Sequence, residues 1–175
     1  AKYDKGEEFA WDVMHKAFEV GLITCELPEE LGGGGLGHLD TVILSEELAW
    51  GCAGMYTTIM ASSLAFTPIL LFGSDEQKKK YLTACAEGAI SAFALTEPHV
   101  GSDPARLGTT IEPTEDGDYI MNGEKLWCTN GTFAELFVVM ALHPDTKRIS
   151  AFVVEADSEG IKVEHRCRFM GLKAL

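Results

Sequence analysis

Two stretches of the chain carry residue types that could hold a planar, hydrogen-bonding ligand: Leu95-Thr96-Glu97-Pro98-His99-Val100-Gly101-Ser102-Asp103 and Asn122-Gly123-Glu124-Lys125-Leu126-Trp127-Cys128-Thr129-Asn130-Gly131. In the first, Thr96 ends a predicted strand with a hydroxyl donor, Gly101 lets backbone amides approach an anion, and Ser102 adds a further donor. Pro98 lacks an amide proton and has a fixed φ, which stiffens the turn where it would face the ligand. In the second, Trp127 and Thr129 alternate onto one face of a predicted strand, so a ring and a hydroxyl would share one pocket. Each stretch also has a plainer reading, a strand leaving through a Pro-Gly-Ser turn and a hairpin with a core tryptophan.

Neither stretch supplies an evident catalytic base. Glu97, Asp103, Glu124 and Glu135 fall at expected strand ends or hairpins, where solvated charge is the default. His15, His38, His99, His143 and His165 never stand at ligand spacing with a second donor, so no metal site is expected, and His99 reads as an exposed turn residue. There is no G-x-S-x-G elbow and no P-loop. His165-Arg166-Cys167-Arg168 reads as a solvated strand edge. Gly32-Gly33-Gly34-Gly35-Leu36-Gly37 formally satisfies G-x-G-x-x-G. However, Pro28-Glu29-Glu30 precedes it and helices follow it, so it is expected to be a flexible connector and not a dinucleotide fingerprint.

The elements that must position these stretches divide the chain into 1–88, read as helical, and 89–175, read as strands. Phe9, Val13, Met14, Ala17 and Val20 fall on one helical face, with Gly21 as C-terminal cap. A second helix carries Leu39, Val42, Ile43 and Leu48, with Glu46 and Glu47 toward solvent. The uncharged run from Ala53 to Phe72 has the length of a membrane span. Its scattered hydroxyls, and Thr67-Pro68 as an N-cap followed by proline, favour two buried helices joined at a corner. Ser74-Asp75-Glu76-Gln77 matches a capping box and opens a helix that Gly88 closes. Strands are expected near 90–96, 107–112, 118–121, 124–129, 135–142, 149–155 and 161–165, with hairpin signals at Asp116-Gly117 and Asn122-Gly123. Helices followed by strands give an α+β class, an all-helical domain and then an antiparallel β-barrel-like domain.

With 175 residues and 46% hydrophobic content the chain can bury a core. Its formal charge of -13, from 27 acidic and 14 basic residues, repels nucleic acid and anionic membranes. Cys25, Cys52, Cys85, Cys128 and Cys167 are odd in number and form no C-x-x-C, which argues against disulfides and for a reducing compartment. The chain opens on Ala1 with no cationic n-region, so a targeting peptide is expected to be absent or removed, and cytoplasm and mitochondrial matrix are both open.

Leu-Thr-Glu-Pro-x-x-Gly-Ser-Asp followed by Asn-Gly-x-Lys-x-Trp-x-Thr-Asn-Gly is similar to the signature pair of the acyl-CoA dehydrogenase family. Leu27-Pro28-Glu29-Glu30-Leu31-Gly32-Gly33, Ser45-Glu46-Glu47-Leu48-Ala49 and Gln77-Lys78-Lys79-Lys80-Tyr81-Leu82 resemble the helical domain of its straight-chain members. The resemblance implies FAD bound between a helical and a β domain. It also implies oxidation of an acyl-CoA thioester to the trans-2-enoyl-CoA, a carboxylate taking the α proton while a hydride leaves the β carbon for the flavin. Electrons would pass to a soluble electron-transfer flavoprotein. Carried over by position, Phe93, Leu95, Thr96, Gly101 and Ser102 resemble one set of FAD contacts, and Trp127, Cys128 and Thr129 resemble the other. Ser102 also matches a position that meets the acyl-CoA.

His99-Val100 stands where the family has smaller residues, and Cys128 replaces an aliphatic one. In the family, the point matching Leu175 precedes the last strands and the C-terminal helical domain, which supplies the catalytic glutamate and the core of a tetramer or dimer. The resemblance therefore places no catalytic residue in this chain, puts the base beyond Leu175, and implies that the chain alone is inactive. Two other readings stay open. One is an acyl-CoA oxidase or flavin-monooxygenase relative using oxygen. The other is a non-catalytic truncated chain or assembly module, whose mark is exposed apolar surface.

Overall fold

The computed structural model describes Tyr3 and residues 8–172. Helix α1 (Trp11–Glu19) buries Met14 and Ala17 and is preceded by the buried Phe9, whereas Val20 is 70% exposed and leaves the expected stripe. Gly21 takes φ +75°, its amide donating to Phe18 O and that of Leu22 to Ala17 O. This pair of bonds satisfies the last carbonyls in the manner of a Schellman cap.

The glycine run is a compact turn and not the flexible connector expected from its composition. Amides of Gly33, Gly34, Gly35 and Leu36 donate back to carbonyls of Pro28, Thr24, Leu27 and Cys25. A Cβ on Gly33 would stand 2.1 Å from the Leu27 carbonyl oxygen, so the chain packs on itself there more closely than any side chain allows.

Helix α2 (His38–Phe72) bends at Cys52, whose φ of -166° and ψ of 111° are extended. The corner therefore follows Gly51, a weak helix former, and does not fall at Thr67-Pro68. Pro68 continues the helix, forgoing one backbone bond, and Thr67 Oγ1 donates to Ser63 O as a helical hydroxyl and not as a cap. Among the described residues α2 is the one helix long and apolar enough to cross a membrane. Its second limb is core: Thr58, Ile59, Ala61, Ser62, Ala65, Phe66 and Ile69 are buried. On the first limb Leu44 and Leu48 pack on the core, while Leu39, Val42 and Ile43 face outward, contrary to the expected stripe.

Helix α3 is continuous through Asp75–Gln77, a π-turn at Lys78–Leu82, and Thr83–Ala86. Its capping box forms as expected, Gln77 N donating to Ser74 Oγ at 3.2 Å and Ser74 N to Gln77 Oε1 at 2.9 Å. Gly88 follows with φ +127°.

The strands are β1 (Ser91–Ala94), β2 (Thr110–Pro113), β3 (Tyr119–Asn122), β4 (Leu136–Leu142) and β5 (Ile149–Glu155), in one five-stranded sheet. The helical part followed by the sheet part is the expected architecture, but the pairing is mixed. β2/β3 and β4/β5 are antiparallel, while β1 and β2 lie parallel to β4 along one of its edges. Parallel neighbours require long crossovers, and the site segments are those crossovers. Asp116-Gly117 turns the β2/β3 hairpin, with Gly117 at φ +88°. Asn122-Gly123 only ends β3. Residues 124–129 and 161–165, expected as strands, join no strand of the sheet among the described residues; in the former, Trp127 at φ 56° breaks any extended run.

Two hydrophobic clusters join helices to sheet. One gathers Met14, Ile23, Ile59 and Met60 with Ile90, Ala92 and Ala134; the other gathers Leu27, Phe66, Ile69 and Leu82 with Leu136 and Val138. Ser62 and Ser91 cross-link α2 and β1, each hydroxyl donating to the other's backbone carbonyl.

Candidate functional site

Where β1 ends, the chain turns sharply: Glu97 N donates to Val100 O and Val100 N to Glu97 O, with Pro98 and His99 exposed at the tip. The 122–131 segment returns alongside, and Leu126 N donates to Thr96 O at 2.8 Å. Between the two segments and α2 lies an open cavity of about 190 Å3, lined by Ala61, Leu64, Phe93, Leu95, Thr96, Leu126, Trp127 and Thr129. The structure thus brings Phe93, Leu95, Thr96, Trp127 and Thr129 to one pocket.

The route differs from the one expected. Trp127 and Thr129 meet across a loop whose bends are set by positive φ at Trp127 (56°) and Asn130 (66°), not by strand alternation. A tryptophan held left-handed is a strained conformation of the kind that persists where surroundings over-determine it. Asn130 supplies part of that determination. It is buried, its Nδ2 donates to Thr58 O at 3.0 Å, and its backbone carbonyl accepts from the amides of Phe133 and Ala134. Trp127 is 61% exposed and packs on Phe169 with ring centroids 5.9 Å apart, so its face borders the cavity instead of filling a core.

Gly101 and Ser102 stand on the exposed turn outside the pocket lining, as do His99 and Asp103. Cys128 turns inward, Sγ donating to Phe93 O at 3.6 Å, and burial raises its thiol to about 11, so it is a neutral packing group at pH 7. Ala61, Leu64 and Leu126 complete the lining and were not anticipated. The signal available for the first two was the uncharged run Ala53 to Phe72, which had to lie against something apolar.

The largest departure is Glu97, which is 7% exposed instead of solvated. Its Oε1 accepts from Lys125 Nζ at 2.8 Å, from Thr109 N at 2.9 Å and from the Thr109 hydroxyl; its Oε2 accepts from Gly108 N at 2.6 Å. Burial pushes this carboxyl up, but the bonds from Lys125, Thr109 and Gly108 prevail and hold it at about 2. Glu97 is therefore an anion at every ordinary pH and cannot act as a proton-accepting base. Lys125 was missed with it. In the expected 124–129 register, Lys125 shares the face of Trp127 and Thr129, and an ammonium directed inward calls for a carboxylate.

The remaining expectations follow their plain readings in part. Glu124 and Glu135 are exposed. Arg166 does not sit on a strand edge: its guanidinium lies over the Phe133 ring, 5.3 Å from the centroid. Among the described residues no group of His, Cys, Asp and Glu gathers to hold a metal. A larger hollow of about 370 Å3 lies beside the glycine turn, where the carbonyls of Thr24 and Cys25 accept amide protons from Gly34 and Leu36.

A pocket with an aromatic face, apolar walls and two hydroxyls suits a flat ring system with a hydrogen-bonding edge. Among the described residues neither the Thr96 nor the Thr129 hydroxyl has a protein partner, so both are available to such a ligand. Comparison with known proteins gives the class. Residues 1–89 match the model for the acyl-CoA dehydrogenase N-terminal domain and residues 92–175 that for the middle domain. A probable medium-chain specific acyl-CoA dehydrogenase 2, mitochondrial, of Caenorhabditis briggsae is 39% identical over 98% of this chain and 43% of its own length. A Bacillus anthracis acyl-CoA dehydrogenase complexed with FAD superposes with TM-score 0.88 at 39% identity, over 99% of this chain and 30% of that one. A structure described as the electron transferring flavoprotein of Acidaminococcus fermentans superposes with TM-score 0.92 at 37% identity, over 99% and 47%. The chain belongs to the acyl-CoA dehydrogenase family. It spans less than half the length of these relatives.

Proposed function

We propose that residues 1–175 form the flavin-holding wall of an FAD-dependent acyl-CoA dehydrogenase, which oxidises an acyl-CoA to the trans-2-enoyl-CoA and passes electrons to an electron-transfer flavoprotein. The observation that carries this reading is the convergence of the unpartnered Thr96 and Thr129 hydroxyls beside Trp127 in one pocket. Thr96 and Thr129 would hydrogen-bond the polar edge of the ring, Trp127, Phe93 and Leu126 would pack against it, and Ala61 and Leu64 of α2 would close the helical side. FAD bound there supplies the two-electron acceptor. The Gly101-Ser102 turn, outside the pocket lining, would serve the phosphate tail, with Ser102 also toward the acyl-CoA.

Among the described residues no carboxylate lines the pocket, and Glu97 is committed to Lys125. The proton-abstracting base is accordingly assigned beyond Leu175, and residues 1–175 alone are expected to be inactive. A homo-oligomer, tetramer or dimer, and a cytoplasmic or mitochondrial-matrix setting fit the kinship.

The test is anaerobic titration of the full-length protein with acyl-CoAs of graded length, followed by visible absorbance. Bleaching of a bound flavin, with slow reoxidation by oxygen and fast reoxidation by an electron-transfer flavoprotein, is the expected result. Fast reoxidation by oxygen would reassign the protein as an oxidase, and absence of bound flavin would overturn the reading.

A further inference from the structure

Neither Lys125 nor Glu97 is among the residues that line the pocket, yet together they join the two loops that carry its hydroxyls. The Lys125 ammonium has three protons and three acceptors: Leu95 O at 3.1 Å, Glu97 Oε1 at 2.8 Å and Met140 O at 2.7 Å. Leu95 and Thr96 are the residues by which β1 enters the pocket, Met140 is in β4, and Lys125 stands two residues before Trp127. The next amide, Leu126 N, bonds Thr96 O. Glu97 extends the junction to the chain entering β2 through Gly108 and Thr109. Even Gly123 belongs to it, because a Cβ there would stand 2.2 Å from Thr109 Oγ1.

We propose that the buried Lys125–Glu97 pair is the positioning device of this wall, fixing the spacing between the Thr96 and Thr129 hydroxyls by tying the two loops that carry them to β4. The proposal rests on the flavin reading above for its purpose, but its geometry is independent of it. A tetrahedral ammonium reaches acceptors on three sides, which a planar guanidinium cannot reproduce, so Lys125→Arg is not a conservative change here. Removing one partner strands the other charge in a buried site. Removing both as Glu97→Gln with Lys125→Met takes the charges away together and spares the fold more than either single change.

The experiment compares the full-length protein with Lys125→Met, Lys125→Arg and the double variant, using three readouts. These are FAD affinity of the apoprotein by fluorescence titration, visible circular dichroism of the bound flavin, and amide exchange over residues 125–131. All three variants are expected to bind FAD at least tenfold more weakly, with altered flavin dichroism and at least tenfold faster exchange at Leu126. The double variant is expected to keep the stability that Lys125→Met loses, which separates positioning from unfolding. Unchanged FAD affinity and dichroism in the double variant would overturn the proposal. If the unsubstituted protein takes up no FAD the flavin reading fails, and the exchange data decide the junction: unaltered protection at Leu126 in Lys125→Met overturns it, and lost protection supports it.

Discussion

Among the described residues two Lys–Glu pairs link distant parts of the molecule at almost the same distance. Lys125–Glu97 is 2.8 Å apart with side chains 12% and 7% exposed, and Lys80–Glu155, which joins α3 to β5, is 2.7 Å apart with side chains 62% and 48% exposed. Geometry alone would rank them as equals. Their surroundings do not: around Glu97 every charge-bearing atom is met by an amide, hydroxyl or ammonium proton, whereas the outer pair competes with water and salt. A short ion pair therefore says little until its burial and its other hydrogen bonds are known, and here only the inner one builds the site.

The comparison breaks most visibly if Lys125 is replaced. Lys125→Met leaves Glu97 buried without its counter-charge and should cost about 3–5 kcal/mol, read as a fall in the denaturation midpoint. Acid sharpens the same contrast. With its carboxyl held down at about 2, Glu97 contributes stability that is complete above the ordinary glutamate range and is lost as pH falls through that range toward 2. Thermal melts from pH 6 downward should show that loss in the unsubstituted protein, and a shallower decline in Glu97→Gln/Lys125→Met. In the pocket, Thr96→Ala or Thr129→Ala removes one hydrogen bond of about 1 kcal/mol, roughly a fivefold loss of FAD affinity, with the fold's melting temperature little changed. Unchanged flavin content and unchanged bleaching by substrate would remove these hydroxyls from the assignment. At the small end, Lys80→Ala should barely move the melting temperature, and any shift should vanish in high salt; a large, salt-independent shift would show that the outer pair had been undervalued.

Features decided within a few residues were legible in the sequence. The Ser74–Gln77 box, the Gly21 cap and the Asp116-Gly117 hairpin each depend on local backbone chemistry, and each forms. Phe93, Thr96, Trp127 and Thr129 likewise come together. What escaped was non-local. Glu97 and Lys125 are 28 residues apart, so although the alternation of 124–129 turns Lys125 toward the face of Trp127 and Thr129, nothing near it names Glu97 as the partner. The 124–129 segment alternates like a strand, but the left-handed backbone at Trp127 is imposed by bonds to Thr96, Met140 and α2. In α2, Gly51 and Pro68 are both recognised helix breakers, and the bend follows the glycine. The face of α2 that carries Leu39, Val42 and Ile43 was assigned by period alone, which marks an apolar side without saying what lies opposite it.

The buried face of α2's second limb has a consequence for the order in which the protein is made. That face is covered by β1 and β4, and β4 reaches to Leu142. A ribosome adding about 5–20 residues per second leaves an uncharged, span-length segment waiting for seconds before its cover emerges. During that interval the nascent chain exposes an apolar surface of span length, and the scattered hydroxyls of Thr57, Thr58, Ser62, Ser63 and Thr67 make it less hydrophobic than a membrane span of that length.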